Sequence, residues 1–196
     1  MTVTTAPWSK PVGCNQGRIY PITATGNRLE GGATDPTYGT SQLIGCLQTF
    51  QFDREVLVVE IEGNDTICDV FSKTTKLTFE LGVSGIDLNL MATLTGDTAT
   101  DFVGGSYIDL LSESIPGEFG VIVRALNTRG GDSHIVLYRA RANEGPGAGF
   151  EQGSEHAQSW SGDALVSYYG DGAFGRIINH TAQTAVPSTW PGTTAY

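Results

Sequence analysis

Apolar and polar positions are patterned most clearly from Leu77 to Gly96, LTFELGVSGIDLNLMATLTG, where a period of two gives way to a period near four. Leu77, Phe79 and Leu81 alternate with Lys76, Thr78 and Glu80, the pattern of a strand with one covered face. A short apolar helix over about 84–95 is predicted next. Ser84 serves as N-cap, Asp87 completes a capping-box pattern, and Gly96 stands where a left-handed C-cap residue belongs. Ile86, Leu90 and Leu94, four apart, form a ridge that Leu88 and Met91 widen. A helix of about ten residues does not hold in water alone, so this ridge is expected to pack the helix onto the sheets.

Elsewhere the signals are strands and turns. Leu43–Phe52 and Val56–Ile61 are rich in β-branched and aromatic residues, and Gly63-Asn64-Asp65 turns the chain. Thr66–Thr75 reads as a mixed connection. Further strands are predicted at 107–111, 119–126, 134–142, 164–169 and 173–180, with Asn127–Asp132 as a hairpin loop. Asn143–Ser159 reads as a loop. Residues 1–45, dominated by Gly, Pro and Thr and with Arg18–Ile22 as their one strand-like piece, read as an arm or long loop that orders against a neighbour, or as a disordered tail. Residues 183–196 read as a C-terminal arm. The expected fold is mainly β: a single domain over 1–196, an antiparallel β-sandwich or barrel of about eight strands with one short packed α-helix.

Composition narrows the function. The chain carries 21 acidic and 11 basic residues, a net charge of −10, with no basic cluster to grip a phosphate backbone. No apolar run approaches the roughly 20 residues that span a bilayer. The first 14 residues contain no apolar stretch of signal-peptide type, and the three cysteines form no CxxC pair. Reduced thiols in a cytoplasmic setting are therefore expected.

Chemistry-bearing residues do not converge. Glu60 and Glu62 lie two apart on a strand, a rise of about 6.6 Å, which is compatible with paired-carboxylate glycoside cleavage. Yet the flanking strands offer no tryptophan: Trp8, Trp160 and Trp190 fall in segments read as loops or arms. His134, His156 and His180 are far apart in sequence, and no GxSxG elbow is present. Asp65 and Asp69 lack the spacing of an EF-hand. No catalytic residue, metal ligand or cofactor is assigned.

The block from Leu43 to Thr98 resembles the tail tube (major tail) proteins of long-tailed bacteriophages. The resemblance rests on LIGCLQTFQFDRE, the acidic turn EGND, the connection VFSKTTK and LTFELGVSGIDLNLMATLTGDT. It implies a β-sandwich subunit that joins with copies of itself into rings, commonly of six, which stack into a tube. Made in the host cytoplasm, such a subunit ends in the virion tail, with tape-measure protein and then double-stranded DNA in the lumen. On that reading Glu60, Glu62 and Glu80 either contribute to an anionic lumen surface or lie on a plain outer surface. Two alternatives stand beside it. One is a carbohydrate-binding or glycoside-cleaving β-sandwich; the other is a different virion component, such as a decoration or tail-terminator protein.

Overall fold

The computed structural model describes residues 11–63, 66–128, 130–144, 157–169 and 171–192. They form a mostly antiparallel β structure with one short helix. The strands are β1 (Pro11–Ala24), β2 (Thr37–Tyr38), β3 (Gln42–Ile44), β4 (Leu47–Gly63) and β5 (Thr66–Ser84), followed by the helix α1 (Leu88–Thr95). Then come β6 (Ala99–Phe102), β7 (Gly105–Ile108), β8 (Glu118–Asn127), β9 (Asp132–Glu144), β10 (Ala157–Ala164) and β11 (Gly175–His180). The main sheet runs β2-β1-β8-β9-β10-β5-β4, with β3 beside β1 and β11 beside β9; β6 and β7 pair separately. The sheet curls without closing. β1 meets β4 only near its start, where the Cys14 thiol donates to the Gln48 carbonyl.

The β1–β8–β9 centre of the sheet is covered on both faces, which explains the unbroken apolar run in β8. Phe119, Val121 and Val123 point into the curl, with Ile19, Leu137, the β5 residues Leu77, Phe79, Leu81 and Val83, and Trp160. Ile122 points the other way, with Tyr20, Val136 and Tyr138, under Val186 and Trp190 of the C-terminal segment. Trp190 stacks on Tyr38 with ring centroids 4.1 Å apart. A side chain at position 120 would meet the Trp190 ring at 2.5 Å, so glycine stands there.

Helix α1 plugs the curl. Leu90, Met91 and Leu94 are buried in the same cluster as the β5 side chains. Fully burying each leucine contributes about 1.5–3 kcal/mol, which holds an eight-residue helix that has little stability of its own. Its N-cap is Asp87, whose Oδ1 accepts from the Asn89 and Leu90 amides at 3.1 Å each. Ser84 instead ends β5, so the predicted start of the helix is too early by one turn. Gly96 closes the helix in the left-handed region at φ 80°.

Four other expectations are corrected. Residues 11–24 are an inner strand of the sheet, and residues 37–44 hold two short strands, so the arm assigned to 1–45 is largely sheet; residues 1–10 lie outside the described set. Thr66–Thr75 belongs to one continuous 19-residue strand, β5, because its backbone pairs with β4 along its length. The strand expected at 164–169 lies earlier, at 157–164, where the polar AQSWSGDA sequence hides it; Gln158, Trp160 and Ala164 are buried. The C-terminal segment packs on its own chain as far as residue 192, whereas the predicted arm was to order on neighbours. Of the loop assigned to Asn143–Ser159, residues 145–156 lie outside the described set.

Candidate assembly surface

β4 and β5 outrun the body. β10 pairs with β5 only as far as Ala164↔Leu77. From Glu55↔Lys76 to Gly63↔Thr66 the β4–β5 ladder continues as two strands alone, roughly 26 Å at 3.3 Å per residue. The register steps from Glu55↔Lys76 to Val56↔Thr74, leaving Thr75 as the extra residue of a bulge where the hairpin departs. Bulges bend and twist a ladder, and this one re-aims the extension relative to the body.

The extension carries apolar side chains on both faces. Alternation puts Val56, Val58 and Glu60 on one face and Leu57 and Val59 on the other. Across the ladder, Val59 faces Phe71, Leu57 faces Lys73, and Glu60 faces Val70. Val58 is 53% exposed and Phe71 60%. Val56, Leu57, Val59 and Val70 are exposed as well. A lone two-stranded hairpin is marginal in water, and an apolar side chain in solvent forfeits the burial that would stabilise it.

Beyond its start, where Cys14 of β1 reaches Gln48, the outer edge of β4 is also open. Among the described residues no strand pairs with it, and it contains no proline to blunt it. A long open edge of this kind is a template for another chain. A second exposed apolar region follows the opposite end of β5, beyond α1. It comprises Phe102, Val103 and Tyr107 on the β6–β7 hairpin and Leu110, Leu111 and Ile115 after it. Leu110 and Leu111 border a groove with Met91, Leu94 and Trp160.

The acidic residues singled out in the sequence do not share one surface. Glu60 is exposed on the extension. Glu62 pairs across from Ile67 near the turn, and its side chain lies outside the described set. Glu80 is exposed on the body, opposite Gln51 and Ser161. Val70, the partner of Glu60, stands ten residues from Glu80 along β5, about 33 Å. Around Glu80 lies a solvated polar hollow with Asp53, Lys76, Glu144 and Asp163, where Lys76 bridges Asp163 at 3.0 Å. Ile86 precedes the N-cap of α1 and is 46% exposed, so it is no part of the helix ridge. Trp160 is buried and Trp190 is stacked on Tyr38, so neither offers a sugar platform; Trp8 lies outside the described residues.

Two ionic clusters brace the body. Arg139 forks onto Glu118, with Nε to Oε2 at 2.6 Å and Nη2 to Oε1 at 2.7 Å; Arg141 and the Tyr168 hydroxyl complete the set. Burial pushes the Glu118 carboxyl up, but the bonds from Arg139 and Tyr168 outweigh it and hold it below its ordinary value. The second cluster was missed in the sequence. Arg124 Nε donates to Asp132 Oδ2 at 2.7 Å, and the Thr184 amide donates to the same oxygen at 2.6 Å. His134 Nε2 lies 3.1 Å from the Thr184 carbonyl. Asp132 and His134 thus bracket one residue of the C-terminal segment, Thr184, by its amide and its carbonyl. Burial raises the Asp132 carboxyl, but the Thr184 amide and Arg124 bring it below the usual range. Burial lowers His134 against the pull of Asp132, which favours its neutral form. His180 arrives from β11, its ring 4.6 Å from that of His134; His156 lies outside the described residues. Only the β9–β11 register, Ile178↔His134 and His180↔Asp132, brings these residues together, and that register has no local sequence signature.

No protein-family model matches the chain. No curated protein matches it either. Among solved structures, a chain of the cryo-EM structure of the anti-feeding prophage (AFP) baseplate, 6-fold symmetrised, is similar to it at 11% identity and a TM-score of 0.45. The match covers 87% of this chain and 97% of that one, and a likeness this weak is no argument for a shared role.

Proposed function

We propose that this chain is a structural subunit of a phage tail or tail-like particle, which assembles with copies of itself through the β4–β5 extension. The observation that carries the reading is a strand pair with apolar side chains on both faces and no covering layer among the described residues. The block that resembles tail tube proteins, 43–98, contains this hairpin whole. An open β4 edge and a second apolar region beyond the other end of β5 provide two unlike surfaces. Unlike surfaces meet head to tail, which closes into rings or grows into filaments.

In the fuller form of the proposal, rings stack into a tube and the polar body face around Glu80 lines its bore. Its carboxylates, Asp53, Glu80, Glu144 and Asp163, outnumber the Lys76 cation there. Such a lining repels DNA phosphates within about 8 Å at physiological salt and so lets a duplex pass without gripping it. The reading gives the chain no catalytic step.

Negative-stain electron microscopy of concentrated protein tests it. Hollow filaments of uniform width are expected. Rings that never stack would move the reading to a single-ring virion component such as a tail terminator. Dispersed monomers under all conditions would overturn it.

A further inference from the structure

Asp132, His134 and His180 offer a carboxylate oxygen and two imidazole nitrogens that all lie within 4.8 Å of one another. All three stand on one face of the β9–β11 ladder, since residues 132 and 134 are two apart and His180 is directly across from Asp132. The Asp132 side chain is fully buried, and its Oδ1 has no hydrogen-bond partner among the described residues. An enclosed carboxylate oxygen left in that state is costly, and it is what a cation would satisfy.

The surroundings have the form of an outer shell. Metal-ligating histidines nearly always donate their other ring N–H to a carbonyl or carboxylate, and ligating carboxylates are themselves hydrogen-bonded. With the His134 proton on Nε2, the ring donates to the Thr184 carbonyl and its lone pair is on Nδ1. Asp132 Oδ2 is held by Arg124 and the Thr184 amide and lies 3.7 Å from His134 Nε2, while the buried Oδ1 keeps its acceptor capacity unused among the described residues.

We propose that Asp132, His134 and His180 form a structural site for a zinc-class divalent transition metal, which ties β11 and the C-terminal segment to β9. Two imidazoles and one carboxylate suit zinc or cobalt; magnesium and calcium demand oxygen ligands. Bonds of 2.0–2.2 Å put tetrahedral donors about 3.3 Å apart, so the three groups, which each bring one donor atom within 4.8 Å of the others, close in on binding. The Arg124 guanidinium opposes a dication at this distance, so moderate affinity is expected.

The test uses the full untagged chain, stripped by a chelator and titrated with Co²⁺, then Zn²⁺. The expected result is one equivalent of cobalt with visible ligand-field bands free of thiolate charge transfer. Zinc displaces it and raises the unfolding temperature. His180→Ala should weaken zinc binding by more than about tenfold, with the circular dichroism spectrum unchanged. His180→Asn repeats the measurement if the alanine variant does not fold. No cobalt bands in the wild-type chain, bands of thiolate type, or zinc affinity unaffected in the folded His180 variant would each overturn the proposal.

Discussion

Two apolar runs in this chain look alike and end differently. Residues 119–123 of β8, FGVIV, and residues 56–59 of β4, VLVV, both lack the alternation of a half-covered strand. In β8 both faces are buried: the curl of the sheet covers one, and the C-terminal segment with Val186 and Trp190 covers the other. In β4 both faces are open, because the strand has left the body behind. A continuous apolar run in a strand requires cover on two sides. For β8 the described residues provide both layers and for β4 they provide neither, and on the proposed function that cover comes from another copy.

The largest effect is expected in β8. Ile122→Asp places a carboxylate between Tyr20, Val136 and Tyr138 and should cost more than about 4 kcal/mol, unfolding the chain. Denaturant titration followed by tryptophan fluorescence checks this, and a folded variant would mean the outer layer over β8 is dispensable. Acid sharpens the contrast next, because the shifted groups all belong to the body. Below the ordinary histidine value of 6.5 the unfolded chain takes up a proton that buried His134 resists, so stability falls as pH falls. Glu118 and Asp132, both depressed, add to the loss below their ordinary values of 4.5 and 3.8. Unfolding temperature measured from pH 8 to pH 3 should fall in those two stages, and a flat profile would contradict the assigned environments.

Asp87→Ala removes the side chain that caps α1 and should cost about 1 kcal/mol without touching the extension. The smallest effect on folding is expected from Val58→Asp, within about 0.5 kcal/mol of the parent in dilute solution, since that side chain is already half in water. The same change should abolish assembly, as read by sedimentation velocity at high concentration. A Val58→Asp protein that assembles normally would break the comparison.

The fold was legible where one face of an element is covered and the other solvated. The alternation at 77–81, the buried Leu90 and Leu94 and the Gly96 cap are written locally in the sequence. What was not legible depends on distant partners. Of β1 only Arg18–Ile22 reads as strand, because its prolines and glycines interrupt the pattern, yet its ladder with β8 from Gln16 to Pro21 places it centrally. β10 is polar because one face is solvated and the other is held largely by Trp160. At the candidate surface, the apolar run at 56–59 was visible as a strand. That it projects from the body follows only from where β10 stops pairing with β5. Glu60 and Glu80 were both candidates for a lumen surface or a plain outer one, and only the β4–β5 register shows that about 33 Å of β5 lies between their positions.

Amide hydrogen exchange across β4, compared between dilute monomer and assembled protein, reads out whether another copy covers the extension. Fast exchange is expected at residues 54–60 in the monomer and strong protection once copies associate, while β8 is protected in both states. Equal exchange at 54–60 in the two states would show that the extension is not covered by another copy.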